Sequence, residues 1–234
     1  FTQAGHMKME TAGSLRDGKE IWGLAKLADD FELAGGDEVK GYLLINQPHA
    51  AGKAMTIKFT PIRVVCNNTL TMALQGEGTA LRMPHVKEFD ADVRAAAEEA
   101  LGLSSQAIAD FKEKADFLAS RQFKHESVLN YIAELYQPQI LVDKAKSITD
   151  EEFVMQEKFN TTATQVLQNI DLSPGATMKS AKGTWWGALN GVTYLEDHQR
   201  RATAVGNALH SSWFGAGANR KAKALDKALE YANV

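Results

Sequence analysis

The sequence predicts an α+β fold, an antiparallel β-meander of about four strands packed on helices and followed by a mainly helical C-terminal module. Three observations carry the prediction. Apolar residues alternate with polar ones early in the chain, as Met55, Ile57 and Phe59 do with Thr56, Lys58 and Thr60, which is the period of a half-buried strand. Asp17-Gly18 lies between two such runs, a hairpin signal because the tight turn needs positive φ. From Val86 onward the apolar spacing lengthens to three and four residues, the period of amphipathic helices.

Taken in order, Met7–Leu15 and Glu20–Leu27 read as the first two strands, flanking the turn Arg16 to Lys19. A polar loop from Asp29 to Asp37 leads into a third strand, Val39–Gln47, and the segment Pro48 to Lys53 turns the chain into the fourth. In that strand Pro61 has no N–H for a ladder. It is expected to break the register, moving the apolar set to Ile62, Val64 and Cys66 and leaving Arg63 on the polar face, ahead of Asn67-Asn68-Thr69. Such a sheet offers one face to helices and one to solvent or a ligand.

Val86, Phe89, Val93, Ala97 and Ala100 form a first helical stripe, which Gly102 is expected to interrupt. Ser104 then caps a second stripe through Ile108, Phe111, Ala115 and Leu118. A third stripe, Val128, Ile132 and Leu135, stops before Pro138, and Thr149-Asp-Glu-Glu152 resembles a helix start with acids near its positive end. Ser173-Pro-Gly175 is the clearest later break, so residues 1–172 read as the sheet-and-helix core domain and residues 173–234 as the C-terminal module.

The 234 residues, 44% hydrophobic and 24% charged, suffice for one domain with a helical appendage. No apolar run approaches the roughly 18 residues of a membrane span, and no succession of basic, apolar and small residues marks a secretory signal. The chain begins with Phe1, so an upstream segment is expected. A single cysteine, Cys66, excludes an internal disulfide and a multi-cysteine zinc site; its apolar position reads as a buried, inert thiol in a reducing cytoplasm. The net charge of −3 is unevenly spread: residues 1–85 carry none, residues 86–160 carry −6 and residues 161–234 carry +3. Polyanion binding is therefore expected on the sheet surface and the C-terminal segment.

That segment holds several candidate groups. Lys179 and Lys182 precede a helix start capped by Thr184, and Trp185 and Trp186 follow. Adjacent helical residues point about 100° apart, so the two tryptophans are not expected to share one core stripe, and one is a candidate for stacking on a nucleobase. Glu196-Asp-His-Gln-Arg-Arg201 reads as a solvated helix end, with Arg200 and Arg201 near its negative end, rather than as a hydrolytic site. Gly215 and Gly217 introduce a last helix running to Tyr231, whose N-terminus with Arg220 and Lys221 could receive a phosphate, although the glycine spacing is not that of a P-loop.

The stretch Thr56–Leu70, together with Met9–Trp22 upstream and Gly183–His198 downstream, resembles the phage- and plasmid-encoded family known as domain of unknown function 932, in the same order over nearly the whole chain. The family's strand-then-helix layout is in turn similar to that of ring-forming single-strand annealing proteins of phage recombination, such as Red-beta. The resemblance implies a non-catalytic protein that binds and anneals single-stranded DNA as a ring or filament of identical subunits in a bacterial cytoplasm, with no cofactor, metal or membrane. A phage or plasmid exonuclease or a host replication protein would be its partner. On this reading Lys53, Lys58 and Arg63 neutralise phosphates, Asn67 and Asn68 hydrogen-bond backbone or base edges, and Trp185 or Trp186 stacks on a base. Lys179, Lys182, Arg200, Arg201, Arg220 and Lys221 add positive charge. Two alternatives stay open: a phage structural or assembly protein that does not bind nucleic acid, and a nucleic-acid-processing enzyme whose site the sequence does not display.

Overall fold

At the first hairpin Arg16, Asp17 and Gly18 all adopt positive φ, 54°, 57° and 82°, and the turn folds β1 (Met7–Leu15) onto β2 (Glu20–Leu33). The computed structural model describes residues 7–50, 53–70, 81–83, 91–140, 158–200 and 205–234. Strand β2 continues beyond the expected end at Leu27, because a register shift between Lys26 and Asp30 returns Phe31 and Leu33 to the core face. The expected polar loop thus contracts to a tight turn at Gly35 and Gly36, with φ of 87° and 80°, values that favour glycine. Strands β3 (Asp37–Pro48) and β4 (Met55–Arg63) complete an antiparallel meander. Two short strands share the far side of β4: β5 (Asn68–Thr69) at its Arg63 end and β6 (Leu81–Met83) at its Met55 end.

Pro61 does not break the register. It lies opposite Gly41 in an uninterrupted pairing from Val39↔Arg63 to Asn46↔Thr56. The inward alternation of Ile57 and Phe59 therefore continues through Pro61 to Arg63, while Ile62 faces the other side among Leu24, Tyr42 and Leu44. The expectation of an outward Arg63 is overturned on this point: proline forfeits one donor but leaves the pleat of the strand intact, so side-chain direction still follows sequence parity. Cys66 falls in the turn after β4 and is buried, as expected, with its thiol pKa pushed up chiefly by burial.

The helices cover both faces of the sheet. Helix α1 (Ala91–Ser120) runs unbroken past Gly102, so the interruption expected there does not occur; an isolated glycine costs only about 1 kcal/mol relative to alanine. Its Ile108, Phe111, Ala115 and Leu118 pack on the inner face of the sheet, as their spacing predicted. Helix α2 (His125–Tyr136) buries Val128, Ile132 and Leu135. Helix α3 (Thr161–Leu172) starts at Asn160, whose side chain accepts a hydrogen bond from the Ala163 N–H. The stripe at Val86 and Phe89 and the acidic start at Thr149 lie outside the described residues.

Helix α4 (Trp185–Tyr194), capped by Thr184 as expected, is buried at every position from Trp185 to Thr193. A helix apolar on all sides must be enclosed, and this one packs against α1, α3 and α6 (Ala216–Ala232). Helix α5 (Val205–Phe214) instead lies on the outer face, where Trp213, Leu209 and Phe214 pack with Leu24, Tyr42 and Leu44. One apolar cluster joins Phe59 and Phe111 to Trp186 and Leu225, drawing on residues from both sides of Ser173.

The tightest approach in the helical layer is at Gly187, where an added Cβ would lie 2.1 Å from the Ala181 carbonyl oxygen. Because that atom belongs to the backbone, a Gly187→Ala variant is expected to lose roughly 1–3 kcal/mol by overpacking, measured by urea denaturation.

Candidate nucleic-acid interface

Each cation proposed from the sequence except Arg201 has a definite place among the described residues. Arg63 is buried, and its Nε donates to both Asp37 carboxylate oxygens at 2.8 and 3.0 Å. Its Nη2 donates to the Gly175 carbonyl at 3.0 Å, and the guanidinium lies 5.9 Å from the Trp186 ring centroid. Asp37 also accepts from Ser180 Oγ at 2.5 Å and Trp186 Nε1 at 3.0 Å. A buried carboxylate needs such donors, and here they come from β4, the loop before α4 and α4 itself.

Neither tryptophan is free to stack on a base. Trp186 faces the sheet against Phe111, whereas Trp185 points the other way, packed on Tyr131, Tyr231 and Phe123. Their divergence is the one helical geometry requires, but both directions lead into protein because α4 is enclosed. Asn68 is also buried, its Nδ2 donating to Asn190 O, Asn190 Oδ1 and Thr193 Oγ1. Its expected surface role is thereby corrected; its neighbour Asn67, at φ 54°, stays exposed.

A second buried network corrects the reading of Glu196 to Arg201 as a solvated helix end. Leu195–Gln199 forms a π-helical turn, and both Glu196 and Asp197 carry their carboxylates inside the protein. Arg220 Nη1 donates to both Glu196 oxygens at 3.0 Å, and Tyr136 OH to one of them at 2.8 Å. Lys221, 0% exposed, donates to Asp197 Oδ1 at 2.5 Å, Thr69 Oγ1 at 2.8 Å and Ser212 Oγ at 3.0 Å. Its pKa is lowered by burial despite the opposing pull of Asp197. Two adjacent acids thus meet two adjacent cations. Lys221 is therefore unavailable to a phosphate, and partly buried Arg220 is committed to Glu196, because the first turns of α6 face the protein interior rather than solvent. Arg200 is exposed and lies 3.5 Å from Glu196, and Arg201 lies outside the described residues.

Besides Arg200, which lies beside Glu196, four candidate side chains are exposed, Lys53, Asn67, Lys179 and Lys182, with half-buried Lys58 on the outer sheet face. They form two separate groups. Lys53 and Lys58 belong to the Met55 end and middle of β4, while Asn67 lies past its Arg63 end, the two ends of the strand being about 26 Å apart at roughly 3.3 Å per residue. Lys179 lies at that second end with Asn67, and Lys182 follows in the same loop, next to Gly183, whose carbonyl accepts from the Phe123 N–H. Lys179 approaches the β2–β3 turn, its Cβ 3.0 Å from the position a Cβ would take on Gly35, and Val65 packs against Gly175 of the same loop. Val64 and Val65 are exposed there. Among the described residues no cluster of three or more His, Cys, Asp and Glu side chains could hold a metal ion.

The chain matches the family described as a domain of unknown function (DUF932) over residues 1–223, and it belongs to that family. Neither a curated protein nor a solved structure matches it. The described helices include none long and apolar enough to cross a membrane.

Sequence reasoning missed Asp37, placed at the edge of a loop, and misassigned Glu196 and Asp197. The uncharged run from Trp185 to Tyr194 was the available signal that this helix is enclosed; which of the flanking charges turn inward depends on the elements packed around it. Lys221→Met is expected to cost about 3–5 kcal/mol by leaving Asp197 buried without its cation, and pairing it with Asp197→Leu to recover much of the loss. Denaturant titration of the two variants measures both. Arg63→Met is expected to fall in the same range, for the same reason at Asp37.

Proposed function

We propose that this protein is a non-catalytic single-stranded nucleic-acid-binding protein that works as a repeated unit along the strand, in the strand annealing of a phage or plasmid. The observation that supports the reading best is the loop from Ser173 to Thr184, which carries exposed Lys179 and Lys182, contains no acidic residue and adjoins the exposed Val64-Val65 and Asn67. Neither lysine forms an ion pair among the described residues, so both can approach phosphates, and the two valines offer apolar contact to bases or sugars whose faces are free only in a single strand. Lys53 and half-buried Lys58 form a second, weaker contact near the opposite end of β4, where a strand leaving one subunit could be passed to the next. A subunit of net charge −3 binds such a ligand weakly; avidity along a strand held by several copies compensates. An exonuclease or a replication protein would be the working partner in that setting.

The test is fluorescence anisotropy of labelled oligo-dT and of the matching duplex over a salt series. Single strands are expected to bind more tightly. The slope of log K against log salt should fall by about 0.7 for each lysine reversed in Lys179→Glu and Lys182→Glu, with melting temperatures unchanged because both side chains are exposed. Equal affinity for duplex, or no loss in the double variant, would refute this interface and favour a structural or assembly role.

A further inference from the structure

Between the sheet and α4 lies a cavity of about 20 Å³, bordered by Arg63, Asn68, Val39, Phe111, Trp186 and Leu189 among others. Two of these side chains carry buried polar atoms with no hydrogen-bond partner among the described residues: Arg63 Nη1 and Asn68 Oδ1. Both residues are nearly sealed from solvent, at 2% and 4% exposure. They are also direct cross-strand partners in the β4–β5 pairing, so their side chains leave the same face with Cβ atoms about 4.5–5.5 Å apart. The Asn68 orientation is fixed by chemistry. Turning the amide over would aim its oxygen at Asn190 O and Asn190 Oδ1, two acceptors now served by its N–H groups.

We propose that this cavity is a binding site for a single water molecule, which accepts a hydrogen bond from Arg63 Nη1 and donates one to Asn68 Oδ1. The volume exceeds the roughly 10–15 Å³ that one water requires, and two polar partners are the minimum that retains it. Charge and polarity select water over other small occupants. Arg63 is already neutralised by Asp37, so an anion gains little there, and it would face the Asn68 carbonyl oxygen. A cation would face the guanidinium and could not accept its proton. Only a neutral group that both donates and accepts satisfies the pair. The water would tie the turn carrying Val64, Val65 and Asn67 to the core through β5, independently of any nucleic acid.

A crystal structure of the full chain grown in bromide, with the thermal stability of Val39→Ile, tests the site. The expected map holds one peak within about 2.7–3.2 Å of both Arg63 Nη1 and Asn68 Oδ1, without anomalous signal. The added methyl of Val39→Ile displaces the water and leaves the two groups unpaired, so Tm is expected to fall by about 2–4 °C for a chain of this size. A rise in Tm with no peak would mean a dry cavity and overturn the proposal; an anomalous peak would identify a halide and overturn it as well. If the variant does not fold, the wild-type map decides alone.

Discussion

The burial of Asp37 is the constraint on which the architecture turns. A carboxylate with no exposed surface is tolerated only where donors surround it, and Arg63, Ser180 and Trp186 supply them from three separate parts of the chain. Satisfying that one group fixes the end of the sheet, the loop after α3 and the first turn of α4 relative to one another. The ion pair does not add much net stability by itself, because desolvating both charges offsets most of their attraction. Its effect is to select this arrangement over others that would bury the same apolar area but leave a charge alone.

The Glu196–Arg220 and Asp197–Lys221 pairs apply the same logic at the other end of α4. The π-helical turn places consecutive acids where consecutive cations of α6 reach them, and the contacts of Thr69 and Ser212 with Asp197 and Lys221 draw β5 and α5 into the same network. Two cations and two acids cancel inside the protein. The positive excess of the C-terminal segment is thereby left unchanged in size but moved onto the cations outside these pairs, the exposed Lys179 and Lys182 among them.

For function, this relocation matters more than the charge count. The groups that the sequence offers as one continuous polyanion surface divide into a structural set, turned inward, and a smaller exposed set at two ends of β4. On the proposed reading, the exposed set is what a single strand would contact, and its modest size is why several copies would have to engage the strand together.

Much of the fold was legible in the sequence. Alternation, the Asp-Gly turn and helical spacing set the strands, the first hairpin, the core-facing residues of α1 and α2 and the Thr184 cap, because each depends on neighbours a few residues away. The site was much less legible. Whether Arg63, Asn68, Trp185, Trp186 and Lys221 face water or protein depends on segments more than a hundred residues distant for most of them: Arg63 meets Gly175, Asn68 meets Asn190 and Thr193, and Lys221 meets Thr69. Local periodicity assigns a side chain to one face of its own element. What covers that face is decided only when the elements pack, and the need to satisfy every buried charge determines which of them turn inward.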